Sequence, residues 1–404
     1  MLTQSEIELV KSTIPILESG NTAITSHFYQ RMFEHNPELK HVFNLKNQAK
    51  GTQQTALFNA VLAYAKNIDN LAVLQQAVSR IAHKHTSLNI QAEHYPIVGH
   101  HLIETFRELT GDLFTPELEA AWTKAYQQLA EVFIGIEGDL YQQSAQKQGG
   151  WQGARKFILV EKRIESELVK SLVFEPADGG LVAEYKPGQY IGIQLSVAGQ
   201  NYRQVRQYSL SGKANKYSYQ ISVKREIIEQ PGIVSNYLHD GLRLGDQVEL
   251  FAPSGDFYFE DKQSPVVLIS AGVGLTPMQA MLETFLDAQY SQSIYNLHAC
   301  QNVYQHSFKR RNEAMALKLR LTNHVWYQDT NHADYKLEAL HKGFYEHHGF
   351  MDIAAIADTL PMNSADFYLC GPVGFMRFAK QQLLTLGVDE ANIHYEVFGP
   401  HAEL

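Results

Sequence analysis

A change of hydrophobic period across residues 141–156 limits what this chain can fold into more than any other feature. Before it, apolar residues recur at three- and four-residue steps and glycine is sparse. After it, they come in short runs broken by Gly and Pro. The first pattern suits an amphipathic helix and the second a set of strands, and neither geometry satisfies the other's spacing. The seam, Gln142-Gln143-Ser144-Ala145-Gln146-Lys147-Gln148-Gly149-Gly150, is polar and aperiodic and reads as a linker. The chain therefore combines an all-helical part with β-containing parts, and its 404 residues suit two or three domains.

In the helical part, Thr115-Pro116-Glu117 is a start signal: capping hydroxyl, proline where no N–H is needed, acid in the first turn. Behind it Leu118, Trp122, Ala125, Leu129, Val132, Ile136 and Leu140 predict one long helix. A neighbouring stripe, Tyr126, Ala130, Phe133 and Glu137, sets a carboxylate among apolar side chains. Asn36-Pro37-Glu38 predicts an N-cap opening a short helix toward Val42-Phe43, and Gln53 and Leu57 sit one turn apart on another helix. Tyr95 precedes Pro96, which places it at a helix entrance. Arg80 to Leu88 looks like a helix end that offers an imidazole. His83 and His85, two positions apart, face different ways, so one could ligate a metal while the other is solvated. In a chain with 18 His, a capping or surface histidine is an equally open reading of either.

Beyond the seam, strands are predicted at 156–160, 172–174, 190–195, 207–210, 219–223 and 247–251, with a helical interruption over 233–239. This is the pattern of a small antiparallel barrel. From about 263 the pattern changes again. Val266 to Ser270 is a fully apolar run of the buried parallel type, followed by the loop Ala271 to Pro277 and an apolar helix over 278–285. Further strands over 295–300, 325–327, 367–370 and 393–398, alternating with helices, complete a doubly wound α/β domain.

Composition excludes several classes. A net charge of -9, from 34 basic and 43 acidic side chains, disfavours nonspecific binding to nucleic acid. Two cysteines, Cys300 and Cys370, make a disulfide framework or Cys-based zinc site implausible. No run of about 18 apolar residues suggests a membrane span, and the N-terminus lacks a signal-peptide pattern, so a cytoplasmic protein is expected.

Two stretches point to cofactors. In Gly272-Val273-Gly274-Leu275-Thr276-Pro277, between strand and helix, glycines would let the backbone approach a pyrophosphate at a helix N-terminus. Thr276-Pro277 stands where the dinucleotide fingerprint wants a third glycine, and a plain tight turn is the alternative. Arg206-Gln207-Tyr208-Ser209, with Tyr190 on the preceding strand, could pair with a diphosphate, stack on a flat ring and bond its polar edge. An ordinary amphipathic strand is the alternative there.

Barrel, Arg-x-Tyr-Ser, nucleotide-type domain and Cys370-Gly371-Pro372, in that order, resemble the ferredoxin–NADP reductase superfamily. The helical part, with Phe43, the Gln53/Leu57 pair and Lys84-His85, resembles a bacterial globin. The two together resemble the flavohaemoglobins over essentially the whole chain, through Gly150-Trp151-Gln152-Gly153 and Tyr395 to Pro400. The resemblance implies a globin domain over 1–140, a linker over 141–154, an FAD-binding barrel over 155–262 and an NAD(P)-binding α/β domain over 263–404. It implies one haem b, one FAD, and NADH or NADPH as electron donor. The implied activity is nitric oxide dioxygenation: NAD(P)H reduces FAD, FAD reduces haem iron, and the oxygen-bound haem oxidises nitric oxide to nitrate.

Carried over by position, the resemblance makes His85 the proximal iron ligand, with Tyr95 and Glu137 as its hydrogen-bonding pair, and leaves His83 without a role. Tyr29 and Gln53 become the distal pair, Phe43 and Leu57 pocket-lining residues, and Lys84 and Glu396 residues that tune the potentials. Tyr190, Arg206, Gln207, Tyr208, Ser209, Val397, Phe398, Gly399 and Pro400 become FAD contacts, and Gly272 to Pro277 the NAD(P)H phosphate loop. Small molecules are then the only partners expected, with no obligate protein partner and a monomeric chain. Val397 stands where many members carry cysteine, Leu275 replaces a common polar residue, and Ile227 to Gly232 is bulkier than the usual turn. An oxygen-binding or redox-sensing haemoprotein and a diaphorase with a vestigial globin are the rival classes. No acidic residue past the glycine loop decides between NADH and NADPH, and Lys309-Arg310-Arg311 could be a solvated helix face.

Overall fold

The computed structural model describes residues 2–43, 48, 50–227, 231–329 and 343–399. Pro400 and the 228–230 part of the bulky turn lie outside them. The first part is helical: α1 (Gln4–Ser12), α2 (Ile14–His35), α3 (Thr52–Lys66), α4 (Gln75–Ser87), α5 (His94–Thr110) and α6 (Pro116–Gln146). Thr115 caps α6 as its sequence predicts, its hydroxyl accepting from the Leu118 N–H. Along 31 residues the buried face of α6 moves from Leu118, Trp122 and Ala125 to Ala130, Phe133 and Glu137, while Val132 is exposed. The first half of α6 packs on the main helical core and the second half on Ala82 and Tyr95, so the second stripe replaces the first halfway along.

Asn36 does not cap. The turn after it is a 3-10 helix, Pro37–His41, without a side-chain cap. The Asn36 amide donates to Glu38, and its Oδ1 is bonded to buried His101. A cap would use the Asn36 Oδ1 as acceptor, and His101 of a distant helix takes it instead.

The barrel consists of β1 (Arg155–Ile164), β2 (Val169–Pro176), β3 (Tyr190–Leu195), β4 (Gln204–Ser209), β5 (Tyr219–Lys224) and β6 (Gln247–Leu250), with α7 (Ile233–Asn236) interrupting. Its antiparallel order is β4-β3-β6-β1-β2-β5. A bridge between Leu210 and Ile221 joins the ends of the order. Phe157, Leu172, Phe174, Ile191, Tyr219 and Leu250 fill the interior.

The last part has β7 (Val266–Ala271), α8 (Leu275–Ala288), β8 (Ile294–Cys300), α9 (Lys309–Ala316), β9 (Leu321–Tyr327), β10 (Phe344–His348), β11 (Asp366–Cys370), α10 (Val373–Thr385) and β12 (Ile393–Glu396). All are parallel in the order β10-β9-β8-β7-β11-β12. Every residue of β7 is buried, as its unbroken apolar run predicts. β10 carries no strand signal in its sequence: Phe-Tyr-Glu-His-His at a sheet edge has no apolar run, and only Phe344 is fully buried. Chain direction along the sheet reverses between β7 and β11, the place where open α/β sheets hold ligands.

Candidate functional site

The site is built around α4, whose last turn carries Lys84, His85, Thr86 and Ser87. His85 Nδ1 donates to Glu137 Oε1 at 2.7 Å, and the same oxygen accepts the Tyr95 O–H at 2.6 Å. The phenol oxygen lies 3.2 Å from Nδ1. Glu137 is only 3% exposed, far from the surface carboxylate that a helix-end acid could have been. Tyr95 is fixed from behind: its carbonyl accepts from Tyr126 at 2.7 Å, and the Tyr126 ring occupies the space a Cβ at Gly99 would need. Burial first, and then the Glu137 charge, push the Tyr95 phenol well above its ordinary range, so it stays protonated and donates. With Nδ1 carrying the proton, Nε2 keeps its lone pair, the form in which imidazole ligates a metal.

Tyr29 lies on α2, 6% exposed, against Phe33 and edge-on to Phe43, each with ring centroids 5.9 Å away. Burial raises its phenol, and a hydrogen bond with Gln53 of α3 opposes that rise. Leu57, one turn beyond Gln53, packs with Phe43 on the same core. Gln48 also hydrogen-bonds toward the Tyr29 phenol and opposes the same rise, so two side-chain amides converge on it. A few convergent polar groups in an otherwise apolar pocket suit a polar guest. Together with the free Nε2 of His85, these residues suit a haem with a ligand on its distal side.

α4 also docks on both later domains. Lys84 Nζ donates to the carbonyls of Val397 (3.1 Å) and Gly399 (2.7 Å), and lies 3.9 Å from Glu396. Both side chains of this pair are buried, where the simpler expectation was exposed charges. Burial pushes Glu396 up to about 7, with Lys84 opposing. His83 is not solvated. It points away from His85, as expected of residues two apart, and its Nδ1 accepts from the Gly255 N–H of the barrel at 3.3 Å. Thr86 meets Ser254 at 3.3 Å, and Arg80 lies against Asp256 and over the Tyr395 ring.

On the barrel, β3 and β4 pair so that Tyr190 opposes Ser209, Ile191 opposes Tyr208 and Gly192 opposes Gln207. Tyr190 and Ser209 are buried. Arg206 is half-buried, donates to Val205 O and Gln204 Oε1, and has no ion-pair partner among the described residues. A desolvated guanidinium without a carboxylate suits a diphosphate. Val397 is buried, Phe398 is 42% exposed and Gly399 has a φ of 115°.

The glycine loop sits at the switch point. Gly272 has a φ of 54°, and a Cβ on Gly274 would lie 2.2 Å from Cys370 O, so the loop presses on the end of β11. Val273 O accepts from the Thr276 hydroxyl at 3.0 Å. α8 begins at Leu275, which puts Pro277 in the first turn, where its missing N–H costs no intrahelical bond. Thr-Pro thus replaces the third glycine without closing the helix N-terminus to a pyrophosphate. Ser87 and Gly192 escaped sequence analysis, because nothing in the composition around them marks an interdomain contact.

A helical domain with a carboxylate-backed imidazole, joined to a barrel and a switch-point nucleotide domain, defines an oxidoreductase that moves electrons between a reductase and a haem. The globin family profile matches residues 26–133, the oxidoreductase FAD-binding domain 156–259 and the oxidoreductase NAD-binding domain 268–381. The chain belongs to the flavohemoprotein family. It is 54% identical over 406 residues to a flavohemoprotein of Vibrio cholerae, covering 100% of both, and 44% identical to one of Rhizobium meliloti, covering 99% of both. A crystal structure of Malassezia yamatoensis flavohemoglobin with bound FAD and heme superimposes with a TM-score of 0.85 at 26% identity, covering 98% of this chain and 100% of that one. The FAD/NAD-binding domain of the nitric oxide dioxygenase of Vibrio cholerae is 45% identical, covering 62% of this chain and 100% of that one, with a TM-score of 0.56. Haem, FAD and a nicotinamide dinucleotide are therefore the groups this chain binds. Among the described residues no helix is long and apolar enough to cross a membrane.

Proposed function

We propose that this oxidoreductase is an NAD(P)H- and dioxygen-dependent nitric oxide dioxygenase that forms nitrate. The observation that carries the proposal is the buried carboxylate on the proximal imidazole, Glu137 Oε1 at 2.7 Å from His85 Nδ1. The bound groups supply the redox chemistry: hydride from NAD(P)H to FAD, single electrons from FAD to iron, and dioxygen activation at iron. Per NADH, two nitric oxide and two dioxygen give two nitrates, NAD+ and one proton, so atoms and charge balance.

The chain's residues do the positioning. Glu137 and Tyr95 hold His85 in one tautomer and make it a stronger electron donor, which favours oxygen chemistry over storage. Tyr29, kept protonated by burial, and Gln53 present donors on the distal side, with Phe43 and Leu57 keeping that side apolar. Arg206 holds the flavin diphosphate, and Tyr190, Gln207, Tyr208 and Ser209, with Val397 to Pro400, hold the flavin itself. Gly272 to Pro277 receive the pyrophosphate of NAD(P)H. Lys84 and Glu396 set charge between the two redox sites. The globin is assigned to 1–140, the linker to 141–154 (where α6 continues to Gln146 against the aperiodic reading of the seam), the barrel to 155–262 and the NAD(P) domain to 263–404, in a monomer that needs no protein partner.

The test uses protein loaded with haem and FAD. With NADH and oxygen it should consume nitric oxide, His85→Ala should abolish that, and flavin-driven dye reduction should persist. Nitric oxide loss that survives His85→Ala would refute the assignment.

A further inference from the structure

The haem-side helix α4 ends directly on flavin-side strand β3, with no side chain between them. A Cβ built on Gly192 would lie 2.0 Å from Ser87 O and 2.8 Å from Phe251 Cδ2. Ser87 O is main chain at a helix end, so it cannot rotate aside as a side chain would. Gly192 does not have a positive φ and lies within β3, its carbonyl accepting from the Phe251 N–H at 2.9 Å. Glycine is therefore not required there by the backbone; it is required by the approach of α4.

A second contact fixes the same point. Gln207, the register partner of Gly192 on β4, donates its amide to Ser87 Oγ, and Ser87 Oγ donates to Lys84 O at 2.8 Å. Ser87 thus sits in a two-strand notch: Gly192 makes the room and Gln207 supplies the hydrogen bond. It follows His85 by two residues, and Gln207 immediately precedes Tyr208.

We propose that the Gly192–Ser87–Gln207 notch sets the spacing between the two redox groups, with Gly192 and Ser87 as positioning residues for electron transfer from flavin to haem. This rests on the site assignment above, with iron at His85 and flavin at β4. A methyl group at position 192 reaches ordinary van der Waals contact only if the end of α4 or β3 retreats by about 1 Å or more. Electron tunnelling falls off exponentially with separation, so a displacement of that size is expected to slow the step severalfold.

The experiment compares wild type with Gly192→Ala, both full-length and loaded with haem and FAD. Two readouts address spacing: the flavin fluorescence lifetime in the resting protein, which the nearby haem shortens, and the anaerobic rate of haem reduction after NADH mixing. The expected result for Gly192→Ala is a longer lifetime and severalfold slower haem reduction. NADH-driven ferricyanide reduction, cofactor content and both midpoint potentials should match wild type. Wild-type lifetime and haem-reduction rate in Gly192→Ala would overturn the proposal. Should Gly192→Ala lose its cofactors, Ser87→Ala decides, because it adds no bulk and removes the acceptor for Gln207 together with the local bonds of the same hydroxyl to Lys84 O and Tyr190. Severalfold slower haem reduction with a longer lifetime would support the notch, and wild-type values would overturn it. A wild-type protein whose flavin is reduced by NADH but whose haem never is would refute the site assignment itself, and the notch with it.

Discussion

Replacing Glu137 with Gln removes one charge from the core and almost no volume. In the native site one carboxylate oxygen, Oε1, accepts from both His85 Nδ1 and the Tyr95 O–H, at 2.7 and 2.6 Å. Only an ionised oxygen serves two such short donors well, and it does so inside a core where Glu137 is 3% exposed. The charge stabilises the more positive, oxidised iron through the imidazole, so its loss should favour reduction. Outer-shell partners of a metal-bound histidine typically matter ten- to a hundredfold. For a one-electron couple that corresponds to a rise in haem potential of about 60–120 mV. Nitric oxide turnover should fall by a comparable factor, because the iron pushes less electron density into bound oxygen. Tyr95→Phe keeps the carboxylate and removes only a donor to it, so its shift should be smaller. Spectroelectrochemical titration of the haem-loaded variants measures both. An unchanged or lowered potential in Glu137→Gln, with haem retained, would refute this account of the proximal site.

Gly274→Ala should damage nicotinamide use and spare the globin. Its Cβ would meet only main chain, Cys370 O at 2.2 Å and Gly371 Cα at 2.7 Å, so the loop or the end of β11 must shift, at roughly 1–3 kcal/mol. NADH-driven dye reduction should drop while the Soret band stays native. Glu396 makes a pH prediction, since burial raises it from 4.5 to about 7 against the opposing Lys84 charge. A raised carboxyl contributes stability that is full below its unfolded value and lost as pH rises through about 7, at most about 3 kcal/mol here. Urea unfolding at pH 5 and pH 8 should therefore show a larger loss of stability in wild type than in Glu396→Gln.

Much of the architecture follows from local rules that tertiary contacts do not override. The capping hydroxyl and proline at Thr115-Pro116 start α6, and the short apolar run at 266–270 between turn residues reads as a strand covered on both faces. The two periods on either side of the polar seam force a helical domain followed by β-containing ones. Local rules failed where a partner outside the segment set the outcome. Asn36 could not cap because His101, 65 positions away, takes its side-chain oxygen. β10 lacks an apolar run because an edge strand buries little. The stripe on α6 rotated because its neighbours change along its length.

The site divides in the same way. Its residue types were legible in their spacing: His85 at a helix end, Glu137 on an apolar stripe, glycines between strand and helix. Their meaning was not, because a carboxylate 52 positions from an imidazole is a proximal partner only once α6 crosses α4. Lys84 and Glu396 look like solvated charges until the last strand folds back to bury them as a pair. The approach of Ser87 to Gly192 leaves no trace in either segment, since it is a distance between main chains. The sequence by itself determined a helical domain followed by β-containing ones, their order and the residue types of the site. Tertiary structure alone decided how closely α4 meets the flavin strand, because packing between domains depends on surfaces that no local pattern encodes.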